Sequence, residues 1–238
     1  MGETEQLLTA VLDVPFDTAF TKAGAMNGQP TYPVPPIPTI QGLLYAAMGR
    51  PSLLRPNNLP TDVRAEEEAF RERVRESCAF GERVLDAGTR TSGLWSRQKR
   101  SRSGDTGYLR SPGQRESLIG PRYQIYVGGP SSLLDAFAAA LRDPQRLLYL
   151  GHSDCLVDVR SVTRTTATRH ETTTELDCVT PGADGEPTLL PVTPDYRDGR
   201  TTRPGTVKTV SPSGGTADAY YETTSGERYT YLIDPRRE

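Results

Sequence analysis

The chain has 238 residues, of which 35% are hydrophobic and 24% charged. Its 28 Lys and Arg against 30 Asp and Glu leave a net charge of −2, so no whole-molecule field draws it to nucleic acid, and any such affinity must be local. Three cysteines form no disulfide framework, the acidic start Met1 to Leu8 lacks a secretion-signal pattern, and no run of about 18 apolar residues exists to cross a membrane. A cytoplasmic chain of one large or two small domains is expected, rich in loops because it holds 22 Gly and 20 Pro.

Leu7 to Phe16 (LLTAVLDVPF) is short and apolar and reads as a buried first strand. Thr31 to Gly49 (TYPVPPIPTIQGLLYAAMG) has two halves. Its prolines deny the first half a helix. The second half holds good helix formers, with Thr39 as expected N-cap and Gly49 as stop. That helix is apolar nearly all round and should be buried, with Gly42 letting it lie close to a sheet. Val63 to Glu76 is charged, with Glu67 and Arg71 at i,i+4 spacing, and is expected as a solvated helix face. Ser77 to Thr91 is expected as a strand in the middle of the sheet.

Arg90 to Arg122 carries basic residues at Arg90, Arg97, Lys99, Arg100, Arg102, Arg110, Arg115 and Arg122, against Asp105 and Glu116. Rich in Ser and Gly, it is expected as a long basic hairpin or loop, and such segments are usually functional or disordered. Arginines near Trp95, Tyr108 and Tyr123 suit phosphate gripping and base stacking. Tyr123 to Val127 alternates as a strand, and Leu133 to Arg142 sets Leu133, Leu134, Phe137 and Leu141 on one helix face, capped by Ser131 or Ser132. Leu147 to Val159 is expected as another strand, broken at Gly151.

Strand, helix, strand, basic loop, strand, helix, strand is a βαββαβ order. It fits an α+β, ferredoxin-like (RRM-like) fold with an inserted basic hairpin. The crossovers are expected to bring the first strand beside the third and the fourth beside the second. After Arg160 the composition shifts to threonines, turns and tyrosines. Residues 1–160 are therefore expected as a ferredoxin-like RNA-binding domain with a basic insertion at about 90–120, and residues 161–238 as a β-rich subdomain.

The histidines, His152 and His170, give no catalytic constellation. His152 and Cys155 form an HxxC pair with no second pair at metal spacing, so neither a metal nor another cofactor is expected.

Two stretches resemble the CRISPR-associated Cas five family. TYPVPPIPTIQGLLYAAMG (Thr31 to Gly49) resembles its N-terminal signature. LLYLGHSDCLVDV (Leu147 to Val159) resembles its second signature, about a hundred residues on. The resemblance implies a non-catalytic subunit of a type I Cascade surveillance complex in antiviral defence. Such a subunit binds the 5′ handle of the CRISPR RNA (crRNA), caps the backbone filament and contacts the large subunit, and through the complex meets target DNA. It implies that the basic hairpin is a thumb. The expected RNA-contacting residues are Lys22, Trp95, Arg97, Lys99, Arg100, Arg102, Tyr108, Arg110, Arg122, Tyr123, Gly151, His152 and Ser153, with Lys22 standing where relatives carry an aromatic-Arg pair. Some relatives cleave precursor RNA, but no catalytic Tyr, Lys and His set matches here. A metal-independent endoribonuclease and an RRM-like RNA binder outside CRISPR are the alternatives.

Overall fold

A computed structural model describes residues 2–22, 28–52, 59–100, 108–152, 154–195 and 203–237; of these, the side chains of 95–100, 108–112, 194–195 and 203–204 are not described. In chain order the first elements are β1 (Thr4–Asp13), β2 (Asp17–Thr18), β3 (Gly28–Gln29), α1 (Ile37–Ala47), α2 (Thr61–Ser77), β4 (Ala79–Asp86), β5 (Thr89–Arg100) and β6 (Tyr108–Ile119). Then come β7 (Arg122–Gly128), α3 (Ser131–Arg142) and β8 (Asp158–His170). Nine short strands follow: β9 (Thr174–Leu176), β10 (Thr180–Pro181), β11 (Thr188–Pro191), β12 (Pro194–Asp195), β13 (Arg203–Pro204), β14 (Val207–Ser211), β15 (Gly215–Ala217), β16 (Tyr220–Thr223) and β17 (Arg228–Tyr229). The protein is mixed α+β and sheet-rich, and no described helix is long and apolar enough to cross a membrane.

The main sheet has the order β17-β16-β8-β1-β7-β4, antiparallel throughout the described pairings. β1 lies between β7 and β8, so the fourth core strand sits beside the first and not beside the second, as the crossovers had suggested. β4 is correspondingly an edge strand and not a central one. Alternation sorts β1: Leu8, Ala10 and Leu12 face the helices, while Leu7 faces the other side.

The helices cover one face. α1 begins at Ile37, two residues before the expected cap, because Pro36 is the N-cap and Pro38 falls in the first turn, where a missing N–H costs nothing. α3 is likewise capped by Pro130 and not by a serine; it buries Leu133, Leu134, Phe137 and Leu141. α2 is not the solvated helix its charge suggested. It buries Phe70 and Val74 together with Glu67 and Arg71. From Leu147 to Val157 the described residues form a turn closed by the bridge Tyr149↔Leu156, and the expected strand begins only at Asp158, as β8.

The opposite face is closed. Leu232 donates its N–H to Phe80 O at 2.8 Å, and Phe80 N–H donates to Ile233 O at 2.9 Å. Ile233 thus touches β4, yet it follows β17, at the other edge, by only four residues. Six strands laid flat would span roughly 24 Å, and four residues reach about 13 Å, so the sheet must curl. Gly81 permits the closure, because a Cβ there would stand 2.4 Å from Thr230 O. Inside the curl lie Tyr126, Tyr221, Tyr229 and Tyr231 with Leu7, Leu176 and Cys178. β8 runs across residue 160, where the composition changes, and β16 and β17 extend the same sheet.

Candidate nucleic-acid interface

β5 and β6 form the basic hairpin between β4 and β7. Backbone pairing runs from Thr89↔Ile119 to Arg100↔Tyr108. At about 3.3 Å per residue, each 12-residue arm is roughly 40 Å long. β2 and β3 pair with β6 only between Gln114 and Ile119. Beyond that base, among the described residues, the arms pair only with each other.

Three segments meet at the base: β6, the described residues between Asp17 and Thr31, and the described residues between Leu150 and Cys155. Thr31 N–H donates to Glu116 Oε2 at 3.1 Å, and its hydroxyl accepts from Phe20 N–H at 2.8 Å. Thr18 donates its hydroxyl to Leu150 O at 2.5 Å. Gly151 has φ +102°, and a Cβ on it would stand 2.7 Å from Ala19 O, so only glycine fits the crossing. Thr21 Oγ1 lies 3.0 Å from His152 Nε2. Arg115 Nη1 lies 3.8 Å from Asp154 Oδ2, and its Nη2 points to Cys155 Sγ at 3.7 Å. Hydrogen bonding to its own backbone and the nearby Arg115 charge hold the Asp154 carboxyl below its ordinary range. Across the hairpin, Arg90 pairs with Glu116 at 3.6 Å.

The expected contact residues are distributed unevenly. His152, Gly151 and Lys22 come together at this base, with Lys22 Nζ 5.3 Å from the centroid of the Tyr32 ring. Arg122 is exposed where β7 begins, in register with Asp13 and Asp86. Trp95, Arg97, Lys99, Arg100, Tyr108 and Arg110 lie on the hairpin arms by their backbone; their side chains, and Arg102 and Ser153 entirely, lie outside the described residues. Tyr123 must be corrected. It is 0% exposed, its ring packs edge-on against Phe20 at 6.0 Å, and its hydroxyl donates to Pro33 O at 3.3 Å. It has no open face for a base, and burial raises its hydroxyl pKa far above the ordinary value.

The inner sheet face is equally unavailable. Open RRM sheets stack bases on aromatic side chains, but here Tyr126 stacks on Tyr229 at 4.2 Å and 4°. Tyr126 OH donates to Glu227 Oε1 at 2.8 Å, and Tyr231 OH donates to Glu5 Oε1 at 2.5 Å. Arg115, Thr18 and Thr21, which tie the base together, were not singled out as site residues. Single threonines carry no sequence signal, and Arg115 was one arginine among many. Among the described residues, no group of three or more His, Cys, Asp or Glu is placed to hold a metal.

A family model described as CRISPR-associated protein (Cas_Cas5) matches residues 15–208. No curated protein matches the chain. Among solved structures, a chain of a "CRISPR RNA-guided surveillance complex" is 19% identical with a TM-score of 0.56, covering 88% of this chain and 91% of that one. A "CRISPR protein from Archaeoglobus fulgidus" is 13% identical with a TM-score of 0.54, covering 96% and 100%. At such identities the two structures share the fold, while the family model spans most of the sequence, from just after β1 into the start of β14. The chain belongs to the CRISPR-associated protein (Cas_Cas5) family.

Proposed function

We propose that the protein is a non-catalytic subunit of a type I CRISPR Cascade surveillance complex. In this reading it binds the 5′ handle of crRNA and caps the backbone filament next to the large subunit. The observation that carries the reading is the β5–β6 hairpin: a long paired arm, basic in sequence, rooted in a base where Lys22, Arg115 and His152 gather. Arginine forks grip phosphate bidentately, and a strand arm offers them at regular spacing. The neighbour described as a surveillance complex supports assembly with crRNA and other subunits.

The order β8-β1-β7-β4, with helices on the two crossovers, supports a ferredoxin-like core in residues 1–160. Residues 161–238 act as a β-rich addition whose last strands close the sheet. Closure diverts RNA from the sheet face to the hairpin and its base.

Binding rather than cleavage fits the base. Thr21 holds His152, while Lys22 sits over Tyr32, whose hydroxyl pKa is raised by burial. In this reading the contacts with Thr21 and Tyr32 hold His152 and Lys22 in place for binding rather than poise them as a general base. Two measurements test the proposal. Protein expressed with its CRISPR locus should co-purify with a short RNA of uniform 5′ end; RNA with heterogeneous ends would point to an RNA binder outside CRISPR. Purified protein incubated with repeat RNA in EDTA should leave it intact; site-specific cutting would overturn the non-catalytic reading.

A further inference from the structure

α1, α2 and the turn after α3 enclose a recess of about 230 Å³. Three guanidinium groups line it: Arg50 just past α1, Arg71 on α2 and Arg146 after α3. Among the described residues, one carboxylate is paired with them. Glu67 Oε1 lies 2.6 Å from Arg50 Nη1, and Glu67 Oε2 lies 3.8 Å from Arg71 Nη2. The Arg71 and Glu67 side chains are 9% and 6% exposed, so this is no solvated surface pair. Arg71 Nη2 also donates to Pro51 O at 2.6 Å, while its Nε meets no hydrogen-bond partner among the described residues. Arg146 directs Nη2 to a neutral acceptor, Gly49 O, at 2.7 Å.

Among the described residues, the recess therefore has three positive charges, answered by one negative charge, beside a cavity partly withdrawn from water. Charge in such a setting is costly unless it is opposed. Planar guanidinium forks match the oxygens of phosphate. The wall is set back at Gly42, where an added Cβ would meet nothing within 4 Å. Gly42 therefore does not serve close packing on the sheet, as its place in an apolar helix suggested; it faces open space. The volume is below the roughly 300–1,000 Å³ of drug-sized sites, which suits a phosphate with one sugar attached.

We propose that this recess binds a phosphate group, contacted directly by Arg146, with Arg50 and Arg71 supplying the field behind it. The proposal is independent of the RNA reading, because a free phosphate or nucleotide carries the same chemistry as an RNA phosphate.

The test uses the full chain and inorganic phosphate at matched ionic strength, read by phosphorus NMR line broadening. Two variants probe the site. Arg146→Gln removes the exposed guanidinium. Gly42→Glu places a carboxylate in the open space, with a residue that favours a helix over glycine. Each variant should weaken phosphate binding at least fivefold, while its phosphate-free Tm stays within about 3 °C of wild type. Undiminished binding in both variants, or no broadening by wild type, would overturn the proposal. Handle-length RNA added to the phosphate complex then separates the sources. Displacement of phosphate assigns the recess to RNA; phosphate that stays bound while RNA binds assigns it to a free phosphate or nucleotide, and either supports the site. Failure of RNA to bind at all would count against the proposed function and leave the recess standing.

Discussion

The inner face of the curled sheet and the base of the β5–β6 hairpin are both polar-aromatic regions, but they are assembled for different ends. On the inner face the aromatic rings satisfy one another: Tyr126 on Tyr229, Tyr221 at 5.5 Å from Tyr229, and the Tyr229 and Tyr231 hydroxyls 3.2 Å apart. Burial pushes the Tyr221 hydroxyl up to about 12 and the Tyr126 and Tyr229 hydroxyls higher still. At the hairpin base, short side chains and backbone turns hold cations at a surface. Ion pairs as exposed as Arg90 and Glu116 contribute little to stability. The difference teaches that aromatic content alone does not mark a binding surface: the tyrosines hold the sheet closed, and under the proposed function the hairpin base is the part that meets RNA.

The comparison breaks most easily at Tyr229. Tyr229→Ala should cost about 3–5 kcal/mol in urea unfolding, while RNA affinity per folded molecule stays unchanged. A cost below about 1 kcal/mol would mean that the inner face is not what closes the sheet.

At the other region, Gly151→Ala should cost about 2 kcal/mol, because φ +102° and the contact with Ala19 O both oppose a side chain. RNA affinity should fall with it, since His152 sits on the same turn. Stability loss without any change in affinity would detach this turn from the interface.

Glu82 sharpens the contrast from the helix side of the sheet. It is 0% exposed, and neither carboxylate oxygen has a hydrogen-bond partner among the described residues. Burial raises its pKa well above the ordinary 4.5. The folded state then holds a proton that the unfolded state has released, so stability falls as pH rises above about 4.5. Glu82→Gln should match wild type below pH 4.5 and become progressively more stable above it, by at most about 1.4 kcal/mol per pH unit. Parallel stability curves across that range would show that Glu82 is charged in the fold. The smallest effect is expected at Leu94, which is 86% exposed on the hairpin arm; Leu94→Ser should change stability by less than about 0.5 kcal/mol.

Much of the body was legible because local pattern and burial agree there. The period of β1 and β7, the apolar stripe of α3 and the paired signals flanking the basic stretch all follow from side-chain spacing. What misled came from elsewhere in the chain. Glu67 and Arg71 looked like a solvated pair, and only the packing of α2 shows them buried with Arg50 stacked over Phe70 at 3.6 Å. Tyr123 lay beside arginines in sequence, but strand alternation turns it into the core. The closure of the sheet depends on Ile233 meeting Phe80, a pairing between residues about 150 positions apart that no local pattern encodes. The base of the hairpin was hidden for the same reason: Thr18, Gly151 and Arg115 meet only through tertiary contact.

The central claim is that the hairpin, and not the sheet, grips the RNA. Reversing charge at Arg97, Lys99 and Arg100 together and titrating salt against handle RNA tests it most directly. Losing three phosphate contacts should flatten the slope of log K against log salt by about 2, with affinity at low salt down more than about tenfold and Tm unchanged. An unchanged slope and affinity in the folded triple variant would contradict the claim.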